Sequence, residues 1–463
     1  MCKTKNRGLL ISANTSKDRV RQQPPLSPLP NLFPPPYELE FNEGSDSFKQ
    51  KLTDIAKMYY MPCSIIDLTS TMPTYWGYST SNGPEEDRIS DKKKYFLGST
   101  AKIAVLFAAL WLRKTVNENA NAKDIVANNG NDLLDELSAK WVAKNKEPFP
   151  DQFKEKLPSH QIPKIPSNSW LPSLKDIFEV KGNKGNWKID FKTELGKNYN
   201  GSGRLTSLKG LSQHAEESFE KIKNLNFRDK LELMMGWSNN NAAASCINSL
   251  GYQFLQGCIK RAGFIDKKNK AGILFEGNYS IDFSQKKTGN PPKPSYYQGG
   301  TSEVISKMMA LAVTNNLYDD EISKDFLLFT NRKLALDIWT NRNIDPLVNP
   351  MNTSWIMAHL SNTDNNYLTG KKVTNRHDVT MVYSKVGDGD NIINGVDIGI
   401  ANEVAFIQEE KNGKILRYVV AALQIQLRDP TNLEDNGYLF RYNTNFDTFC
   451  LKLANVIAEE HIV

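Results

Sequence analysis

Residues Ile103 to Leu112 form an unbroken run of ten apolar residues, Ile-Ala-Val-Leu-Phe-Ala-Ala-Leu-Trp-Leu, and the chain has to be organised around it. A helix that is apolar on every side belongs in the interior of a large domain rather than on its surface. Ten residues also fall short of the ~20 that cross a bilayer. The run is preceded by Gly98-Ser99-Thr100-Ala101-Lys102. If this segment is helical, positions 99 and 102 share one face of the first turn, so a hydroxyl and an amine meet at the mouth of a buried helix. Desolvation there disfavours the ammonium form, and a neutral Lys102 takes the proton from Ser99 and makes it a nucleophile.

The Ser-x-x-Lys spacing recurs at Ser90/Lys93, Ser218/Lys221 and Ser284/Lys287, so spacing alone says little. Context separates Ser99 from these: a glycine before it, a buried helix after it, and no like charges beside it.

With 463 residues, 40% of them hydrophobic, the chain has material for one large domain or two to three ordinary ones. Its 58 basic residues are interspersed with 52 acidic ones instead of forming a stripe, which argues against nucleic-acid binding. The five cysteines, Cys2, Cys63, Cys246, Cys258 and Cys450, are odd in number and form no Cys-x-x-Cys pair. Neither a disulfide framework nor a zinc site is indicated, and they read as small buried apolar residues. The five histidines, His160, His214, His359, His377 and His461, lack metal-ligand spacing and read as surface or hydrogen-bonded core residues; no metal and no cofactor is expected. Lys3, Lys5 and Arg7 precede an apolar stretch, Gly8 to Ile11, that is shorter than the ~7–15 residues of an export signal. No signal peptide is recognisable, which leaves the compartment open among cytoplasmic life, an unusual export route and an incorrect start site.

Residues 1–44 read as a tail, basic at first and then carrying seven prolines between Pro24 and Pro36. The domain begins at Ser45, with Ser47 as the expected cap of a helix carrying Phe48, Leu52, Ile55 and Ala56. Cys63 to Leu68 reads as a strand and Thr69 to Lys94 as turn and loop. Asn117 to Asn226 is rich in Pro, Gly, Lys and Trp around two helical patches, Ile125 to Val142 and Ser212 to Leu225, and reads as an insertion. Helices follow at Phe227 to Met235, Asn241 to Leu250 and Phe254 to Gly263, with Ser238 to Asn240 in a tight turn. After a polar loop, Glu276 to Gly300, Thr301 or Ser302 caps another helix. From Asp378 the pattern turns to strand: Val379 to Lys385, Val396 to Ile400 and Val404 to Glu409, then a hairpin at Asn412-Gly413 into Ile415 to Leu427. A last helix covers Phe446 to Glu459. Strands and helices grouped in this way predict an α+β fold, an antiparallel sheet flanked by N- and C-terminal helices plus an all-helical subdomain.

Two short motifs stand in order behind Ser99: Ser238-Asn239-Asn240, and Lys385-Val386-Gly387 at the end of an apolar strand. The succession Ser-x-x-Lys, Ser-x-Asn, Lys-(Thr/Ser)-Gly resembles the signature of the penicillin-recognising serine hydrolases, the β-lactamases and D,D-peptidases. Trp237 to Ala243 is similar to the Ser-Asp-Asn-Thr-Ala-Ala segment of that family, and Val396 to Ile400 to the strand after its Lys-Thr-Gly. The resemblance spans about residues 45–463 apart from most of the insertion, and class A β-lactamases match best. It implies an acyl-enzyme on Ser99 formed from β-lactam or related amide or peptide substrates, with Lys102 as base and Ser238 relaying a proton to the leaving nitrogen. It further implies that Asn240 binds a substrate amide and that Lys385 keeps the field positive. The backbone N–H groups of Ser99 and Asp388 would form the oxyanion hole, and Gly387 would leave room for substrate along the strand.

Three departures stand beside the match. Val386 replaces the family's Thr or Ser, which removes a hydroxyl used for the substrate carboxylate. The literal Lys287-Thr288-Gly289 has no strand before it and reads as a coincidence. Glu276 is the sole glutamate in the interval where class A enzymes carry their deacylating glutamate, and it lacks the Glu-x-x-Leu-Asn setting. The connection from Ser99 to Ser238 is also long, so the 117–226 insertion is expected to decorate the site or bind a protein partner. A D,D-peptidase-like enzyme, or a non-catalytic binding protein on the same fold, is the rival expectation.

Overall fold

The computed structural model describes residues 40–59, 61–80, 89–93, 95–144, 172–193, 222, 224–236, 239–266, 271–275, 298–313, 378–389, 392–393, 396–397, 400–426 and 444–461. The first elements are α1 (Asp46–Tyr59), β1 (Cys63–Asp67), β2 (Thr74–Gly77) and β3 (Tyr95–Phe96). A 3-10 turn, Gly98–Ala101, leads into α2 (Lys102–Ala120), followed by α3 (Gly130–Lys144), α4 (Leu174–Ile177), β4 (Phe178–Lys181) and β5 (Lys188–Phe191). The middle of the chain supplies α5 (Phe227–Gly236), α6 (Asn240–Leu250), α7 (Tyr252–Arg261), β6 (Ile265–Asp266), β7 (Ala271–Gly272), β8 (Leu274–Phe275), β9 (Gln298–Gly300) and α8 (Ser302–Val313). The last are β10 (Asp378–Gly389), β11 (Ile392–Ile393), β12 (Val396–Asp397), β13 (Ile400–Lys411), β14 (Lys414–Gln426) and α9 (Thr444–His461).

The main sheet has five strands in the order β10-β13-β14-β1-β2, antiparallel throughout. Alternation along its strands divides the core in two. Val404, Phe406, Val419 and Ala421 pack on one face with α2 and the middle helices. Ala405, Ile407, Tyr418, Val420 and Ala422 pack on the other with Phe48 and Leu52 of α1 and Phe449, Leu453 and Ile457 of α9. This is the α+β arrangement expected from the sequence. At the β13–β14 hairpin Asn412 and Gly413 have φ of 52° and 74°, the pair of left-handed residues that a two-residue type I′ turn requires.

Three expectations need correction. Ser45, not Ser47, caps α1: its Oγ accepts the Phe48 N–H at 3.1 Å and its carbonyl accepts the Lys49 N–H at 3.1 Å. The Thr69 to Lys94 segment contains β2, a short edge strand whose Trp76 turns inward opposite Ile65; four residues between polar turns leave too little alternation to read. The helix begins at Lys102 rather than at Ser99, because the preceding four residues wind as a 3-10 turn. The predicted patch Ser212 to Leu225 lies largely outside the described residues.

The apolar run is buried from Lys102 through Arg113, and the end of α2 carries part of the 117–226 segment. Asn117 accepts the Ile189 N–H at 3.0 Å and donates to the Ile189 carbonyl at 2.9 Å. One helical turn on, Asn121 treats Trp187 in the same way, at 2.7 and 3.0 Å. Two asparagines four apart on one helix face thus take the place of a strand and complete the edge of the β4–β5 hairpin. Arg113 adds an ion pair to Asp190 at 2.9 Å and lies over the Phe191 ring. Asn117→Ala and Asn121→Ala are each expected to lower unfolding free energy by about 1–2 kcal/mol. Urea denaturation of each variant checks this, and an unchanged midpoint would show that the pairing carries no stability.

Candidate active site

Gly98 opens the turn at φ 53°, a conformation in which a side chain would crowd the following carbonyl. The turn is tied down by Thr100, whose N–H and Oγ both donate to the Leu97 carbonyl, at 3.2 and 2.5 Å. Ser99 at its centre is half-buried and therefore reachable. Lys102, one turn on, is completely buried at the head of α2. Its Nζ donates to Ser99 Oγ at 2.9 Å and to Asn240 Oδ1 at 2.8 Å. The expected meeting of hydroxyl and amine is present, although the link runs across a 3-10 turn rather than within a regular helix.

Asn240 reaches Lys102 because Asn239 starts α6 at the right place: Asn239 Oδ1 accepts the Ala242 N–H at 2.8 Å, and its own N–H donates to the Leu233 carbonyl at 3.1 Å. Asn240 is thereby the first residue of α6 and is exposed, so solvent meets it from one side while Lys102 meets it from the other. The sequence reading assigned Asn240 to substrate alone; the structure also makes it the acceptor that orients the lysine. Ser238 and Glu276 lie outside the described residues.

The third motif sits on β10, at the open edge of the main sheet. Lys385 pairs with Val404, Val386 with Glu403, Gly387 with Asn402 and Asp388 with Ala401. Lys385 is 2% exposed, so its ammonium or amine is held inside the fold. At Gly387 the strand presses on the turn that carries Ser99: a Cβ built there would lie 2.3 Å from the Leu97 carbonyl oxygen, 2.6 Å from Ser99 N and 2.6 Å from Thr100 N. The space that the sequence reading gave to substrate is therefore filled by the turn itself. The missing side chain at 387 lets two backbones meet, and it brings the Ser99 amide beside the strand that carries Asp388.

Behind this contact, Ser384 Oγ donates to Glu403 Oε1 at 2.6 Å, both residues being buried. Glu403 and its neighbour Asn402 were not singled out from sequence, since neither falls in a motif and a polar pair within an apolar strand has no periodic signature. Three described cysteines, Cys63, Cys246 and Cys258, do not compete as nucleophiles: burial pushes their thiols well above the ordinary range, and a thiol needs to ionise to attack. His461 pairs with Asp67 at 2.5 Å, in line with a hydrogen-bonded core histidine.

No protein-family model matches the chain, and no curated protein sequence does. Among solved structures it is similar to a class A β-lactamase from Bacteroides cellulosilyticus, with 12% identity, TM-score 0.40, and coverage of 88% of this chain and 98% of that one. A β-lactamase from Chitinophaga pinensis is similar at 10% identity and TM-score 0.40, covering 89% of this chain and 99% of that one. A β-lactamase from Streptosporangium roseum is similar at 9% identity and TM-score 0.39, with 90% of this chain and 98% of that one covered.

Proposed function

We propose that the chain is a serine acyl hydrolase that acts on β-lactams or related amide and peptide bonds through an acyl-enzyme on Ser99. The observation that carries this reading is the fully buried Lys102 Nζ, 2.9 Å from Ser99 Oγ and 2.8 Å from Asn240 Oδ1. A buried amine whose neighbours are a hydroxyl and an amide oxygen is set up to exchange a proton with that hydroxyl.

In the proposed step Ser99 Oγ forms a bond to the substrate acyl carbon while its proton passes to Lys102 Nζ. The carbonyl electrons move to oxygen, and the oxyanion is met by the N–H groups of Ser99 and Asp388. Collapse breaks the carbon–nitrogen bond; the leaving nitrogen takes the proton held by Lys102, relayed through Ser238, so that Lys102 is neutral again and Ser99 is left as an ester. Water then cleaves the ester and restores Ser99 Oγ–H. Lys385 holds the site positive, which favours acyl donors that carry a carboxylate. Val386 offers no hydroxyl to such a carboxylate, so its grip is expected to be looser than where threonine or serine stands.

The test is intact-protein mass spectrometry after incubation with a fluorescent penicillin, with Ser99→Ala alongside and time points after drug removal. The expected result is a one-equivalent adduct on the unaltered protein and none on Ser99→Ala. An adduct that persists marks a penicillin-binding, D,D-peptidase-like site; one that decays while product accumulates marks a β-lactamase-like enzyme. If Ser99 takes up no lactam, ester or amide acyl group under any condition, the hydrolase reading fails and a binding protein on this fold takes its place.

A further inference from the structure

Two irregularities of the main sheet converge behind the nucleophile turn. The ladder from β10 to β13 is continuous through the Gly387–Asn402 pair. From β13 to β14 it breaks at the same residue: Ala401 pairs with Ile425 and Glu403 with Ala422, so Asn402 alone faces both Leu423 and Gln424. One extra residue in β14 makes this a β-bulge, a device that bends a strand and strengthens its twist. Gln424 sits at φ 58°, a region that residues with side chains rarely occupy. Its N–H, displaced from the ladder, donates to Asn402 Oδ1 at 3.0 Å, and its Nε2 approaches the same oxygen at 3.4 Å. The Asn402 side chain thus supplies the hydrogen bond that the bulge removes from the backbone.

Asn402 is completely buried, and its Nδ2 has no hydrogen-bond partner among the described residues. A left-handed glutamine and an unsatisfied buried amide are both unfavourable, and such features persist where the surrounding structure imposes them, often beside a functional site. Their location fits that pattern. Directly paired residues of an antiparallel ladder point to one face, and the Cβ direction at Gly387 runs into the Leu97 carbonyl and the Ser99 and Thr100 amides. Val404, two residues beyond Asn402, packs in the same core as Leu97 and Ala101. Asn402 therefore stands on the sheet face that carries the nucleophile turn.

We propose that Asn402 is a positioning residue for the candidate site: by capping the β14 bulge it fixes the bend of β14, sets the course of β13 paired beside it, and so holds β10, through Gly387, against the backbone at Ser99, a role that rests on the acyl-hydrolase reading of Ser99 for its catalytic consequence. Asn402 touches no substrate in this role. It acts by setting where the Ser99 amide stands relative to β10, and a misplacement of about 1 Å at such a site costs on the order of 100-fold in rate.

The experiment compares Asn402→Ala with Gln424→Gly in the full chain. Asn402→Ala removes the acceptor, whereas Gln424→Gly keeps the N–H and relieves the left-handed conformation. Saturation kinetics of adduct formation on Ser99 with a fluorescent penicillin are expected to show the limiting rate of Asn402→Ala reduced about 10- to 100-fold, with half-saturation nearly unchanged. Gln424→Gly is expected to keep both constants and to melt at a higher temperature. Hydrogen exchange supplies a reading that needs no activity: in Asn402→Ala the amide of Thr100, which donates to the Leu97 carbonyl, should lose protection together with that of Gln424. Protection lost at Gln424 alone, or a lower melting temperature with both kinetic constants intact, overturns the proposal. If Asn402→Ala fails to fold, Asn402→Ser, whose hydroxyl is too short to reach Gln424, is judged by the same outcomes. Should unaltered Ser99 prove inert to every probe, the hydrolase reading falls while the exchange pattern still decides the role of Asn402.

Discussion

Gly387→Ala is expected to lower the acylation rate of Ser99 at least about 100-fold. The added methyl would stand 2.3 Å from the Leu97 carbonyl oxygen and 2.6 Å from the amides of Ser99 and Thr100. All three atoms belong to backbone, so no side chain can swing aside; either β10 or the turn must retreat. The turn is held by Gly98 in a left-handed conformation and by the two Thr100 bonds to Leu97, and the strand by its ladder with β13, unbroken from Met381 to Gly389. Overpacking of this kind costs about 1–3 kcal/mol of stability. The loss of rate should therefore appear in protein that remains folded at room temperature, and circular dichroism with adduct kinetics on the same sample checks both. Acylation within threefold of the unaltered protein would show that the strand does not form a wall of the site.

Lys102→Met is expected to separate activity from stability. Methionine fills nearly the same volume without an amine, and removing a base of this kind lowers rate by about 100- to 10,000-fold. Stability should stay the same or rise, because a completely buried amine is costly to desolvate and hydrogen bonds such as those to Ser99 and Asn240 offset only part of that cost. The partners left behind tolerate its loss, since Asn240 is exposed and Ser99 is half-buried, so water replaces the lysine at both. A guanidinium melt and a labelling time course give the two numbers. A variant that labels Ser99 at the normal rate would remove Lys102 from the mechanism, and a variant that unfolds would show the lysine to be structural.

The parts of this molecule that sequence revealed are those where one residue type answers to one physical demand. Ten apolar residues in a row had to be an interior helix, an Asn-Gly pair between apolar stretches had to be a tight hairpin, and Ser99 with Lys102 could meet only at the helix mouth. Asn240 was legible for a related reason, because the polar break between two helical patterns put it in the turn before a helix; that the helix starts at Asn240 itself, capped by Asn239, emerged only from the structure. What stayed hidden depends on partners far away in the chain. Gly387 announces an absent side chain but not what fills the space, and the answer lies nearly three hundred residues earlier in the turn at Leu97. Asn402 interrupts an apolar strand, a pattern that reads as a weak strand until the bulge opposite it is known. Asn117 and Asn121 look like ordinary surface positions of a helix until the β5 edge is laid against them.

The order of the strands also has a consequence for how the protein comes into being. β1 is made early yet pairs with residues 418–422 of β14, and the nucleophile turn meets its wall at Gly387. Loops of this length close slowly, and contacts between distant parts of a chain form late. During synthesis Ser99 and Lys102 emerge as a pair well before β10 exists, so a ribosome-bound or truncated chain carries the nucleophile without the surface that would stabilise a transition state. On the proposed acyl-hydrolase reading, reactivity waits for β10, and a chain that stops before it is expected to be silent toward acyl donors.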